Sequence, residues 1–224
     1  MAQDGQPVLD LPNGLELRPW SRDDADVLVA AGRDPAIRQW NLLVVESERD
    51  ARERIERMNG RWRAETGAIW AIARPGGEAT GLIGLNGIDL AGGSAETIYW
   101  LLPAARGGGV AVEAVRRVGR WALEDLGLHR LRLCHSVANP ASCRVALKAG
   151  YAFEGVMRGA LMHADGWHDQ HLHARIWGGR PGRTVRASAR HPARGERWKH
   201  APGGGHRRRR HGGLDDAVHR VQSP

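Results

Sequence analysis

The residues with the most definite chemistry in this sequence stand together at 101–111, Leu101-Leu102-Pro103-Ala104-Ala105-Arg106-Gly107-Gly108-Gly109-Val110-Ala111. An apolar strand-like run ends at a proline, three glycines follow, and a helix-like run begins. Unpaired N–H groups at a helix start, reinforced by the helix dipole, attract an anion, and glycines let a phosphate approach the main chain. Arg106 adds positive charge. No Gly-Lys-Ser/Thr follows, as a nucleoside-triphosphate loop requires, and the third glycine of a dinucleotide fingerprint is missing. On these residues alone two readings stand, an anion site or an ordinary glycine-rich loop before a helix.

A second group is His163, His168, His171 and His173. Its spacing matches no standard metal site, and alternate strand residues face opposite ways. His171 and His173 can share a face, but two histidines do not make a site, so no metal is expected. Cys134 and Cys143 are the only cysteines. They exclude a disulfide scaffold, fit a reducing compartment, and read as small buried apolar residues.

The elements that must position these groups follow from periodicity and caps. Residues 13–20 read as a strand. Ser21, three residues before Asp24, opens a helix to about Ala31 that stops at Gly32. Trp40 falls in a loop or short helical turn. Ser47 caps a helix over 48–65 with a thin apolar side of Ala51, Ile55, Met58 and Trp62. Strands over 68–74, 80–90 and 95–102 form a meander; Gly81, Gly84 and Gly87 in the second suggest bulges or a close neighbour. A helix over 110–126 carries the stripe Ala111, Val115, Val118, Ala122 and Leu126, and Gly127 suits its end. A strand over 129–137 follows, then a short helix capped by Asn139 with Pro140 at its first position. Gly150 ends that helix. A hairpin of 152–161 and 168–177 closes the fold. The expected class is α+β, a mixed and mostly antiparallel sheet of about seven strands flanked by helices.

Three stretches carry a family resemblance. Arg106-x-x-Gly109-x-Ala111 resembles the (Gln/Arg)-x-x-Gly-x-(Gly/Ala) signature of the GNAT superfamily of acyl-CoA N-acyltransferases. Asn139-Pro140-Ala141-Ser142, Lys148-Ala149-Gly150-Tyr151 and Glu154-Gly155-Val156-Met157-Arg158 are similar to the Asn-x-x-Ser, Lys-x-Gly-Phe and Glu-Gly-x-x-Arg pattern of its RimJ/RimL-like branch, which acetylates ribosomal-protein N-termini and many other amines. Glu96 to Leu101 resembles that branch's strand before the glycine turn, and Asp165-Gly166-x-x-Asp169 its last hairpin. The similarity covers roughly residues 13–177.

The resemblance implies a V-shaped opening between the strands at 95–102 and 129–137, holding acetyl-CoA as co-substrate. It implies main-chain groups of Leu101 and Leu102 on the pantetheine and an N–H there polarising the thioester. Arg106, Gly107, Gly108, Gly109, Val110 and Ala111 would hold the pyrophosphate. Asn139 would bond the pantetheine, and Ser142 would lie near the sulfur. A neutral amine would attack the thioester directly, so a base is useful. Glu96 is the first candidate and His135 the second. Many superfamily members place a Tyr acid in the last helix; Ala146 stands there in this sequence, and Ser142 is the expected substitute. The acceptor, a protein N-terminal or small-molecule amine, would be chosen by residues 40–45 and 163–167.

Charge divides the chain. Residues 178–224 hold 12 of the 33 Lys and Arg and 3 of the 25 Asp and Glu, leaving 21 and 22 for residues 1–177. The basic excess therefore belongs to a Gly/Arg/His-rich tail with almost no branched aliphatics, expected to be disordered. The expected organisation is a flexible N-terminus over 1–12, an acetyltransferase-like domain over 13–177, and that tail. Two other readings stay open: nucleic-acid binding through Arg207–Arg210 of the tail, and a domain that binds acyl-CoA without turnover. The tail also has the composition of a GC-rich gene read out of frame. No run of about 18 apolar residues and no signal peptide is apparent. A cytoplasmic protein, monomer or homodimer, with no membrane partner is expected.

Overall fold

Apolar alternation and helix caps mark out nearly every element. The computed structural model describes residues 5–178, all within the unit Met1–Ser188; all of the expected tail but Gly178 lies outside the described residues. β1 (Leu9–Leu11) and β2 (Leu15–Pro19) precede three helices, α1 (Ala25–Arg33), α2 (Pro35–Asn41) and α3 (Glu48–Arg63). The meander β3 (Gly67–Ala73), β4 (Ala79–Asp89) and β5 (Ser94–Leu101) follows. Next come α4 (Val110–Arg120), continued by a π-helical turn over Trp121–Asp125, then β6 (Arg130–Ser136) and α5 (Pro140–Lys148). The hairpin of β7 (Ala152–His163) and β8 (Gly166–Ile176) ends the fold.

Among the described residues, eight strands form one sheet in the order β1-β2-β3-β4-β5-β6-β8-β7. Of these, only β5 and β6 pair in parallel; the other neighbours are antiparallel. Both faces of the middle of the sheet are covered. Trp70, Ile72, Ile83 and Leu85 pack with Val115 and Val118 of α4 and with Tyr151. Ile69, Ala71, Leu82 and Trp100 pack on the other side with Leu28 of α1 and Ile55 of α3. β3 is therefore buried at all seven positions, which is why it reads as a continuous apolar run.

The caps behave as their chemistry requires. The Ser21 N–H donates to Asp24 Oδ2 at 2.9 Å, and the Ser47 hydroxyl accepts from Asp50 N at 3.1 Å. α3 buries Ala51, Ile55, Met58 and Trp62, the side its sequence marks as apolar. In β4, a Cβ at Gly81 would stand 2.7 Å from the Trp100 carbonyl and one at Gly84 2.7 Å from that of Ala68, so both glycines admit a close neighbouring strand.

Four expectations are corrected. The N-terminal stretch is not wholly flexible: Leu9 and Leu11 are buried and β1 pairs with β2, raising the sheet to eight strands. Three residues are too few to show a period. Gly32 does not stop α1, which runs to Arg33; a Cβ there would lie 2.7 Å from the Val45 carbonyl, so this glycine lets a loop cross the helix. The region of Trp40 is a true helix, α2, capped by the Asp34 carboxylate at 2.8 Å from Ile37 N. The α-helix expected to reach 126 ends at Arg120, and the chain continues as the π turn.

Candidate active site

The parallel pair is short. β5 and β6 match at Ser94–Arg130, Ala95–Leu131 and Glu96–Arg132 and then part. Beyond that point β5 stays bound to β4 as far as Gly81–Leu101, and β6 stays bound to β8 as far as Ser136–Gln170. Each strand follows its outer partner, and the twisted sheet opens as a V. The opening belongs to a cleft of about 670 Å³.

Main-chain groups alternate sides along a strand. The Leu102 N–H donates to the Thr80 carbonyl at 2.9 Å, on the β4 side. Leu101 therefore turns its main-chain groups toward the opening, and Arg106 Nε donates to its carbonyl at 3.0 Å. Leu101 lines the cleft, and Leu102 does not. Of the two expected main-chain contacts, only Leu101 is placed for one.

The glycine turn closes one end. Gly107 (φ 89°) and Gly109 (φ 77°) adopt left-handed conformations that any side chain would strain. Gly109 is the residue before α4, and the first N–H groups of that helix have no partner within it. Arg106, Gly107, Gly109, Val110 and Ala111 line the cleft; Gly108 does not. Arg106 carries a task its motif does not announce. Its Nη2 donates to Asp34 Oδ1 at 2.8 Å, tying the start of α2 to the turn. Burial pushes the Asp34 carboxyl up, but the Arg106 guanidinium and the α2 amides outweigh it and hold it below its ordinary value. The charge of Arg106 is thus shared with a protein carboxylate.

The far wall is the start of α5. Asn139 Oδ1 accepts from Ser142 N at 3.1 Å, which aims the first turn of the helix at the cleft. The Ser142 hydroxyl is 2.7 Å from the Tyr99 hydroxyl across the opening. Burial pushes the Tyr99 phenol up to about 12, against the opposing effect of Ser142. Tyr99 did not emerge from the motifs. Its signal was strand alternation: Glu96 and Ile98 take one face of β5, Thr97 and Tyr99 the face toward α5. Thr97 shows the same placement, bonding the buried Tyr151 hydroxyl at 2.9 Å. Ala146 is fully buried.

Glu96 and His135 both line the cleft. The Glu96 carboxylate accepts from Arg132 Nε and Nη2, each at 3.3 Å, at the apex of the V. His135 is 6% exposed, and its Nδ1 donates to the Ser136 carbonyl at 2.8 Å. Burial holds this imidazole below its ordinary value, against the pull of that bond. Its other nitrogen points into a group of side chains from α5 and β8. At the remaining end, residues expected to choose the acceptor meet. His163 Nδ1 donates to the Gln39 carbonyl at 2.6 Å, and the Gln39 amide bonds Asp165 at 2.7 Å. The Trp40 ring lies edge-on to His163 and His168.

Comparison with known proteins agrees with this geometry. The model of the acetyltransferase (GNAT) domain matches residues 14–152. The N-acetyltransferase YoaA of Bacillus subtilis, itself uncharacterized, is 30% identical over 154 residues, 68% of this chain and 86% of that protein. The ribosomal-protein-serine acetyltransferase of Escherichia coli is 32% identical over 99 residues, 44% of this chain and 55% of that one. The chain spans about half the length of this relative and of YdaF of Bacillus subtilis, where the share is 50%. Among solved structures, RimL, the ribosomal L7/L12 alpha-N-protein acetyltransferase, in complex with coenzyme A shares the fold with a TM-score of 0.69 at 20% identity, covering 76% of this chain and 98% of that one. With more than half of its length matched by that one family model, and a sheet that parts beside a glycine turn, the chain belongs to the GNAT acetyltransferase family.

Proposed function

We propose that this protein transfers the acetyl group of acetyl-CoA to a primary amine, with a protein N-terminal amine as the first substrate class. The observation that carries the reading is the parting of β5 and β6 at Glu96–Arg132 beside the left-handed glycines before α4. A long thioester cofactor needs both features, a slot for its arm and a set of N–H donors for its phosphates. RimL was solved with coenzyme A, and the E. coli relative is named for a ribosomal-protein serine, which supports both choices. A substrate of the kind the E. coli relative is named for would be met in the cytoplasm, which supports that compartment for this protein.

The pyrophosphate sits against the N–H groups of Gly107 to Ala111, and Asn139 meets the pantetheine. The Leu101 main chain, facing the opening, polarises the thioester carbonyl. Glu96 takes the amine proton. It is the better placed of the two candidates, because its side chain is 31% exposed in the cleft while His135 is buried. The amine nitrogen bonds to the acetyl carbon, the carbon–sulfur bond breaks, and the Ser142 hydroxyl donates to the departing thiolate. Tyr99 acts behind Ser142. Its hydroxyl, 2.7 Å from that of Ser142, donates to the Ser142 oxygen and turns the serine proton toward sulfur.

The test is calorimetry with acetyl-CoA, followed by turnover on a panel of small amines and peptides with different first residues. The reading expects binding, and turnover of at least one acceptor. Gly109→Asp, which strains the turn and sets a carboxylate among the phosphates, should lose binding. Acetyl-CoA binding by this variant equal to that of the wild type would show the site to be misassigned. Binding without turnover of any amine would leave an acyl-CoA-binding protein.

A further inference from the structure

The histidines of β8 do not stand alone in three dimensions. β6 and β8 pair with His135 opposite His171 and Leu133 opposite His173, which brings the three imidazoles to one sheet face. Ring centroids of His135 lie 5.2 Å from those of both His171 and His173. α5 lays Cys143 over them, its Sγ 3.8 Å from His173 Nε2. One ligand atom from each of His135, Cys143, His171 and His173 lies within 4.8 Å of every other. Cys143 therefore joins histidines 8, 28 and 30 residues away, a spacing that no linear motif displays.

Two details distinguish this group from an apolar filling. The first is tautomer. His135 Nδ1 carries its proton to the Ser136 carbonyl, which leaves Nε2 as a bare lone pair. Metal-bound histidines are oriented by this kind of bond from the other ring nitrogen. The second is satisfaction. His135 Nε2 and His171 Nδ1 are buried and have no hydrogen-bond partner among the described residues. A buried polar nitrogen left unpaired costs about 1–3 kcal/mol, so two in one pocket call for a ligand.

We propose that His135, Cys143, His171 and His173 bind a divalent transition-metal ion, with zinc as the fitting member of that class. Three imidazoles and a thiolate form a borderline-soft tetrahedral set of the kind zinc takes. With Zn–N near 2.0–2.1 Å and Zn–S near 2.3 Å, tetrahedral ligand atoms stand roughly 3.3–3.7 Å apart. Closing from 4.8 Å requires side-chain rotations that move ligand atoms by about an ångström or slightly more. On binding, the Cys143 thiol gives its proton to solvent and the sulfur bonds the ion. The ligands come from β6, α5 and β8, so the ion bolts α5 to the sheet one residue from Ser142. The same step occupies His135 Nε2 and removes His135 from any role as base.

The experiment uses the full chain, stripped with chelator and returned to one equivalent of zinc. Metal content after dialysis and the thermal midpoint are measured, and cobalt(II) serves as a spectroscopic probe. The expected result is one retained ion, a raised midpoint, and a cobalt spectrum with thiolate charge transfer and the strong visible bands of a tetrahedral centre. Cys143→Ser should abolish the charge transfer and weaken zinc binding by more than the roughly 10–100-fold that loss of an outer-shell partner costs. His171→Gln, at a half-buried position, is the second variant should Cys143→Ser not fold. The tail histidines His191, His200, His206, His211 and His219 are replaced together by alanine as a control and should leave uptake unchanged. Uptake that follows the tail histidines, uptake unaltered in both site variants, or no uptake would overturn the proposal. None of these readouts requires acetyl-CoA, so the result is separate from the test of the acetyltransferase reading.

Discussion

Around the cleft, the polar side chains of the candidate site, Glu96, Tyr99, Arg106, His135 and Ser142, are held by partners that limit what they can do. Glu96 is held by Arg132 at the apex of the V, where the strands separate. If it removes the amine proton, Glu96→Gln should lower kcat by about 10²-fold or more. The deficit should shrink as the pH rises toward the amine's own pKa, because the acceptor then needs no base. A pH–rate profile unchanged by the substitution would remove Glu96 from that role. Tyr99 meets Ser142 at 2.7 Å and, in the proposed mechanism, acts through it. Tyr99→Phe should cost about 2- to 12-fold in kcat, the worth of one net hydrogen bond of 0.5–1.5 kcal/mol, with KM for acetyl-CoA little changed. Ser142→Ala should cost more. The double variant should be no worse than Ser142→Ala alone, since a residue acting through another adds nothing once that other is gone. Independent, additive losses would show that Tyr99 touches the reacting atoms itself.

Between elements, two carboxylates fasten helices to the sheet. Asp34 caps α2 and binds Arg106 of the glycine turn, so the α2 side and the glycine-turn side of the cleft are tied by one group. Asp24 accepts from both Arg18 nitrogens of β2, at 2.8 and 2.7 Å, and from Ser21 N before α1. Burial pushes the Asp24 carboxyl up, but Arg18 and the Ser21 and Ala79 amides prevail and hold it below its ordinary 3.8. A depressed folded-state value stabilises the fold above the unfolded value, and that contribution is lost as pH falls through the folded one. Asp24→Asn should therefore destabilise by about 1.5–3 kcal/mol near neutral pH. The gap to wild type should narrow as pH falls below 3.8 and close once pH passes the lowered folded-state value, where the wild-type carboxyl becomes protonated. Denaturant melts of both proteins across that range check this; a gap independent of pH would mean that the bonds matter through shape alone.

At the scale of the whole molecule, charge and architecture divide at the same place. Every strand and helix among the described residues ends by Ile176, and no helix there is long and apolar enough to cross a membrane. The basic excess lies beyond, in residues 178–224. A chain ended after Gly178 should keep the melting midpoint, acetyl-CoA affinity and turnover of small amines of the full chain. Any binding of DNA or RNA by the full chain should be lost with the tail and should weaken steeply with salt, as phosphate neutralisation does. Gel shift and calorimetry on both chains decide this. Salt-resistant binding of nucleic acid by residues 1–178 would assign that activity to the domain instead.

How much of this was legible differs by the range of the forces involved. Caps and periods are local, and Ser21, Ser47 and Asn139 marked helix starts because their side chains satisfy N–H groups two or three residues away. The glycine turn was legible for the same reason, since left-handed backbone at Gly107 and Gly109 is a property of those residues themselves. β1 escaped notice because three residues hold no period, and Gly32 misled because its role is set by Val45, which crosses over it. Sequence by itself determined the order of most elements, the α+β class, the position of the glycine turn before a helix start and the charge division. Only the tertiary structure decided which distant side chains meet: Tyr99 with Ser142, Asp34 with Arg106, and Cys143 with His135, His171 and His173. Those meetings depend on strand register and on where α5 crosses the sheet, which packing across tens of residues sets and no local pattern encodes.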